Sequence, residues 1–187
     1  AIDYEEYISI FTNGRGIVAQ SPIPPGIFGY QDGINKYNET IYEIKNKNIV
    51  KKNINKAKKL LIQAGYKNGV NQNTGKPLVL YFEATGSGAD TYAFLNWLRK
   101  QFKKIDIQLV TRVTDYNRFQ EKMINGTGQI FQWGWNADYP DPENFLFLLY
   151  GKNGKVKFGG ENASNYENKE FDRLFLKMKN MQNSLER

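Results

Sequence analysis

The chain of 187 residues contains neither cysteine nor histidine. Their absence excludes disulfides, thiol nucleophiles, zinc sites of the usual Cys/His kind and a Ser-His-Asp arrangement together. No apolar run approaches the roughly 18 residues of a membrane helix, so no spanning helix is expected. Proline is scarce, at six residues, and gathers in Ser21-Pro22-Ile23-Pro24-Pro25-Gly26 and in Asp138-Tyr139-Pro140-Asp141-Pro142. There is no internal repeat. The chain begins Ala1-Ile2 and stops inside what reads as a helix, so it reads as an excised piece, and the lack of a signal peptide says nothing of its destination.

What is present bounds the class. At 40% hydrophobic and 14% aromatic residues, the chain can bury a core, which argues against disorder. Its length fits one domain, or one lobe of something larger. The net charge of +7, from 26 basic and 19 acidic residues, raises a nucleic-acid surface as one reading. The lysines are thinly spread, however. Their densest cluster (Lys45, Lys47, Lys51, Lys52, Lys56, Lys58, Lys59) is interleaved with asparagine, as a solvated face would be, and no nucleic-acid partner is expected.

Periodicity then orders the elements. Asp3 to Phe11 reads as an amphipathic helix ended by Asn13-Gly14. The proline-rich stretch from Ala19 to Tyr30 is expected to be an extended surface loop anchored by Ile23, Ile27 and Phe28. Asn53 caps a helix running to about Ala64, stopped by Gly65. Pro77 to Glu83 is a short buried strand. The Gly-rich turn from Ala84 to Asp90 leads into a helix to about Lys104 whose packed face is Tyr92, Leu95, Leu98, Phe102 and Ile105. That turn lacks the lysine of a phosphate loop and the spacing of a dinucleotide fingerprint. Ile107 to Val113 alternates as a strand, and Asp115 to Ile124 is a helix with Tyr116, Phe119 and Met123 inward. A short helix from Phe145 to Tyr150 and a last one from Asn168 to Leu185, facing inward through Phe171, Leu174, Phe175, Met178 and Leu185, complete the pattern. Strand, helix, strand, helix, strand implies an α/β fold with a largely parallel sheet. Three sequons, at Asn38, Asn125 and Asn162, are what chance gives in so Asn-rich a chain.

The stretch from Gln129 to Phe145 stands out. Phe131, Trp133 and Trp135 fall on one face of a predicted strand, and Pro140 and Pro142 forbid its continuation. A carboxylate just past such a strand end, Asp138, lies where open α/β sheets bind ligands. Aromatic walls and a fixed negative charge suit a cationic group on a partly apolar ligand. The competing reading is a core strand followed by an Asp-Pro turn. A carboxylate-based glycosidase built on Asp138, Asp141 and Glu143 is a further alternative, though acids at this local spacing hardly flank a substrate from two sides.

Gly134-Trp135-Asn136-Ala137-Asp138-Tyr139-Pro140-Asp141-Pro142-Glu143-Asn144-Phe145-Leu146 resembles the solute-binding proteins of peptide ABC importers, extracytoplasmic family 5. Three further stretches are similar to the family in the same order: Ala1-Ile2-Asp3 with Gly14-Arg15-Gly16 and the Ser21 to Gly26 run; Lys56 to Tyr66; and Asn165-Tyr166 with Glu170-Phe171-Asp172. The resemblance implies a two-lobed (class II) periplasmic binding protein whose lobes carry a mixed, mostly parallel sheet flanked by helices. Residues 1–187 would be most of its second lobe, a single α/β lobe. It implies a binding protein rather than an enzyme, in the periplasm or anchored outside the cell as a lipoprotein, with a peptide ligand, a membrane permease, the first lobe of the same parent chain as partners, and no cofactor. Asp138 would bind the peptide α-ammonium and Trp135 would line a side-chain pocket, next to Trp133. The backbone of Gly134, Trp135, Asn136 and Ala137 would pair with the extended peptide. Some peptide binders carry a basic residue three positions before this tryptophan; here that position is Gln132, which leaves peptide length open. The family also includes nickel, haem and sugar binders.

Overall fold

The computed structural model describes residues 1–31 and 37–186, which fall into two compact units. The first comprises Ala1–Val18, Glu39–Phe119 and Gly128–Gln132; the second comprises Ala19–Asn38, Gln120–Thr127 and Trp133–Arg187. No helix among the described residues is long and apolar enough to cross a membrane.

The first unit contains α1 (Tyr4–Phe11), the strands β1 (Tyr42–Lys45) and β2 (Asn48–Lys51), α2 (Ile54–Gln63), β3 (Val79–Thr85), α3 (Ala89–Lys103), β4 (Gln108–Thr114) and β5 (Ile130–Phe131). Three strands form a parallel sheet in the order β4-β3-β5, with Phe82 opposite Thr111 on one side and Ile130 on the other. The α/β class with a parallel sheet and flanking helices is as the sequence implies. Because β3 is central and covered, three successive residues, Phe82, Glu83 and Ala84, are all buried, the mark of a strand shielded on both faces. It starts two residues later than predicted, since Pro77 instead forms an isolated bridge with Val70.

Phe82, Ala84, Leu95, Trp97, Leu98 and Leu109 form the core of this unit. Tyr7 and Phe11 of α1 meet Phe94 and Trp97 of α3 at ring separations of 5.7 to 5.9 Å, the tilted and edge-on geometry that aromatic quadrupoles favour. The packed face of α3 differs from the predicted one at three positions. Tyr92 is exposed, while Trp97 and Gln101 are buried. Gln101 belongs inside because both ends of its amide are bonded. Its Nε2 donates to Glu6 at 2.7 Å, and its Oε1 accepts from the Asp3 backbone N–H at 3.3 Å, joining α1 to α3.

The antiparallel hairpin of β1 and β2 was not legible in advance. Asn46 and Lys47 form its two-residue turn with φ of 50° and 63°. Both are positive, as a primed turn requires, but Asn-Lys lacks the glycine that normally announces one. The hairpin and α2 carry the lysine cluster, four of whose seven lysines pair with three carboxylates. Lys45 lies 3.0 Å from Glu43, Lys51 3.3 Å from Asp3 and Lys58 3.3 Å from Asp106, while Lys56 also pairs with Glu43.

Helix α4 (Tyr116–Ile124) buries Phe119 and Met123 as expected, but Tyr116 is exposed. The second unit holds α5 (Glu143–Leu146), α6 (Lys155–Phe158) and α7 (Lys169–Lys179). The stretch expected to be extended at residues 19–30 is a series of turns, because the Tyr30 N–H donates to the Ile27 carbonyl at 3.0 Å and Gly26 takes φ of 85°; Phe28 there is exposed. Helix α7 stops six residues short of the predicted Leu185. Asn180 caps it, its amide reaching back to the Leu176 carbonyl at 2.9 Å, and both Leu174 and Leu185 face outward.

Candidate functional site

The predicted strand through Trp135 is shorter than expected. Pairing with β3 ends at Phe131, and Gly134 offers no side chain to hold a ladder together. From Gln132 to Ala137 the backbone has no regular structure. Gly134, Asn136 and Ala137 are exposed, and the backbone groups of Gly134 through Ala137 make no hydrogen bond among the described residues. A Cβ placed on Gly134 would meet nothing within 4 Å, so the main chain here is open to approach.

The two tryptophans are half-buried and differ in surroundings. Trp133 lies beneath the ammonium of Lys155, 5.3 Å from the ring centre, and that lysine also pairs with Glu161 at 3.3 Å. A cation of the protein itself therefore uses one face of Trp133. Trp135 packs edge-on against Phe147 with ring centres 5.1 Å apart. Its indole N–H donates to Asn144 Oδ1 at 3.1 Å, so what it can offer a ligand is apolar ring surface.

Asp138 is exposed, and its backbone N–H donates to the same Asn144 oxygen at 3.0 Å. Its carboxylate forms no ion pair or hydrogen bond among the described residues. The neighbouring acids are engaged. Asp141 Oδ1 accepts the Glu143 backbone N–H at 2.8 Å, a local cap for α5. Glu143 accepts from the Tyr139 hydroxyl and lies 3.6 Å from Lys179. The hydrogen bond to Glu143 raises the Tyr139 pKa above its ordinary value, while one from the Asn144 side chain opposes that shift. Pro142 takes φ of −56° immediately before α5, the angle its ring imposes.

Of the predicted site residues, Trp135 and Asp138 are thus brought together through Asn144, and Gly134, Asn136 and Ala137 lie along the open backbone between. Gln132 is exposed and closes the first unit. Sequence reasoning gave Asn144 no role. Its signal was an amide in the short helix Glu143–Leu146, directly before the apolar Phe145 and Leu146. No group of three or more His, Cys, Asp or Glu placed to hold a metal lies among the described residues. An open groove in the first unit, lined by Asp3, Lys51, Lys52, Lys56, Leu60 and Lys104, contains none of the predicted residues.

The chain is similar to heme-binding protein A of Haemophilus influenzae, with 27% identity over all 187 residues, and to the oligopeptide-binding protein OppA of Bacillus subtilis, with 26% identity over 93% of the chain. Among solved structures it resembles the periplasmic binding protein DppA of Helicobacter pylori in complex with the peptide STSA, at a TM-score of 0.71, with 27% identity, covering 94% of this chain and 30% of that one. The chain spans about 30% of the length of the curated relatives. The profile of the bacterial extracellular solute-binding proteins, family 5 middle region, matches residues 1–157. With the parallel sheet and the open run before Asp138 in place, the chain belongs to the bacterial extracellular solute-binding proteins of family 5.

Proposed function

We propose that this chain is the greater part of the second lobe of the substrate-binding component of an ABC importer acting outside the cytoplasm, and that it takes peptides by their α-ammonium group. The observation that carries the reading is the state of Asp138. In a run containing three acids, it is the carboxylate with no internal partner among the described residues, and it follows four residues of unpaired main chain. An extended peptide would add itself to that main chain through backbone hydrogen bonds, as in strand addition. Its ammonium would meet Asp138 in a charge-assisted hydrogen bond worth about 1.5–3 kcal/mol, and its first side chains would lie on the Trp135 ring. The Helicobacter relative, solved with a peptide, supports this choice of ligand.

In the whole parent protein, Asp138→Ala is expected to lower peptide affinity at least roughly tenfold, read by calorimetry. Unchanged affinity would overturn the assignment. A non-peptide solute is the second reading, favoured by the likeness to heme-binding protein A along the entire chain. Mass spectrometry of the solute that co-purifies with the parent protein separates the two.

A further inference from the structure

We propose that Asn144 is the positioning residue of this site: one side-chain oxygen, holding the Asp138 backbone N–H and the Trp135 indole N–H, fixes where carboxylate and ring present themselves to an ammonium-bearing ligand. The inference rests on the reading of Asp138 given above.

Asn144 is 3% exposed, and burying an amide costs free energy unless it is bonded. Both donors to its Oδ1 come from the site run, at 3.1 and 3.0 Å. Neither comes from its own helix. Its own place is set separately: its backbone N–H donates to the Asp141 carbonyl at 3.0 Å, and Asp141 Oδ1 accepts the preceding amide, that of Glu143, at 2.8 Å. Gly134 to Asp138 makes no other hydrogen bond among the described residues, so Asn144 and the Phe147 ring under Trp135 are what hold it. Without the amide oxygen, the Asp138 backbone regains its dihedral freedom, and a ligand must order it on binding. Asn144 acts through Asp138 and touches no ligand itself.

The test uses the whole parent protein, with STSA and di-, tri-, tetra- and penta-alanine as probes, each with a free and an N-acetylated amino end. Asn144→Leu, which keeps the volume and removes the acceptor, is expected to weaken binding of the free-amine peptides about tenfold. It should change binding of the acetylated ones less than about twofold, and add little in an Asp138→Asn background. General damage to the cleft would weaken both peptide classes alike, and that result overturns the proposal. Hydrogen exchange on the unsubstituted protein decides the matter even if the variant does not fold. The Asp138 amide must exchange about tenfold or more slowly than those of Asn136 and Ala137, and equal rates overturn the proposal. Wild-type protein that binds none of the probes, or binds acetylated peptides equally well, sinks the reading of Asp138, while the exchange rates still decide the anchoring by Asn144.

Discussion

In the unit that carries the parallel sheet, Leu95, Phe82, Leu98 and Trp97 interlock as a core built mainly of apolar side-chain surface. In the unit that carries Asp138, buried side-chain amides work beside a smaller aromatic cluster of Tyr150, Phe171 and Phe175. Asn162 is wholly buried; its Nδ2 donates to the carbonyls of Tyr150 and Tyr166 at 3.1 and 2.9 Å, and its Oδ1 accepts from Ser164 Oγ at 2.8 Å. Asn165 accepts the Val156 N–H, and Asn168 caps α7 through two backbone donors. The difference follows from the backbone. A sheet satisfies its own amides and needs only apolar cover, whereas irregular chain must find a partner for each buried group one at a time. Binding segments sit in the second kind of structure because their main chain must stay unpaired to meet a ligand.

The comparison can be broken by substitution. Leu95→Ala removes a side chain that is 1% exposed and is expected to cost about 3–5 kcal/mol from lost transfer energy and the cavity left. Urea unfolding followed by fluorescence of Trp97, which lies in the same core, measures it. Asn162→Ala deletes almost no apolar surface, yet it leaves two carbonyls and the Ser164 hydroxyl without their partner. A cost of about 2–3 kcal/mol is expected, read in the Trp133 and Trp135 emission. If Asn162→Ala proved neutral, the second unit would not depend on its amides, and the contrast would fail.

The same contrast decides how much the sequence revealed. The parallel sense of the three strands was readable from their alternation with helices, and α2 with its Asn53 cap and the inward Leu95, Leu98, Phe119 and Met123 from local signals, because a cap residue marks a helix start and repeated apolar spacing records which face is covered. Tyr92 and Tyr116 depart from the predicted faces since a tyrosine at the right interval can end at the surface with its hydroxyl in water, while the burial of Gln101 rests on bonds to Glu6 and Asp3 that no periodicity records. The extent of β5 was overread: aromatic alternation from Phe131 to Trp135 mimics a strand, but nothing beyond Phe131 pairs with it. Asp138 was legible as the acid past an aromatic run and a change of backbone. Asn144 was not, since its role depends on a donor six residues earlier and another nine residues earlier, and no periodicity encodes a loop folding back on one atom. The sequon at Asn162 shows the converse: its amide is buried and fully bonded, so a glycan has no place there.

The smallest effect concerns a polar cap of the sheet unit, a device that the other unit also uses. Asp3 accepts the Glu6 N–H at 3.1 Å at the start of α1 and lies 3.3 Å from Lys51. Partial burial pushes its pKa up, but the Glu6 amide and the Lys51 ammonium outweigh this and hold it below the ordinary carboxylate value. A depressed carboxylate stabilises the folded state above its unfolded pKa, so the contribution is fully present above about pH 5 and is lost as pH falls below about 4. Asp3→Asn keeps an oxygen for the cap and removes only the charge. It should therefore cost less than about 1 kcal/mol at neutral pH, as a partly exposed pair does, and progressively less as the pH falls below about 4, with thermal melting across that range as the measurement. A cost that persisted undiminished into acid would mean that shape at this cap, and not charge, ties α1 to the sheet unit.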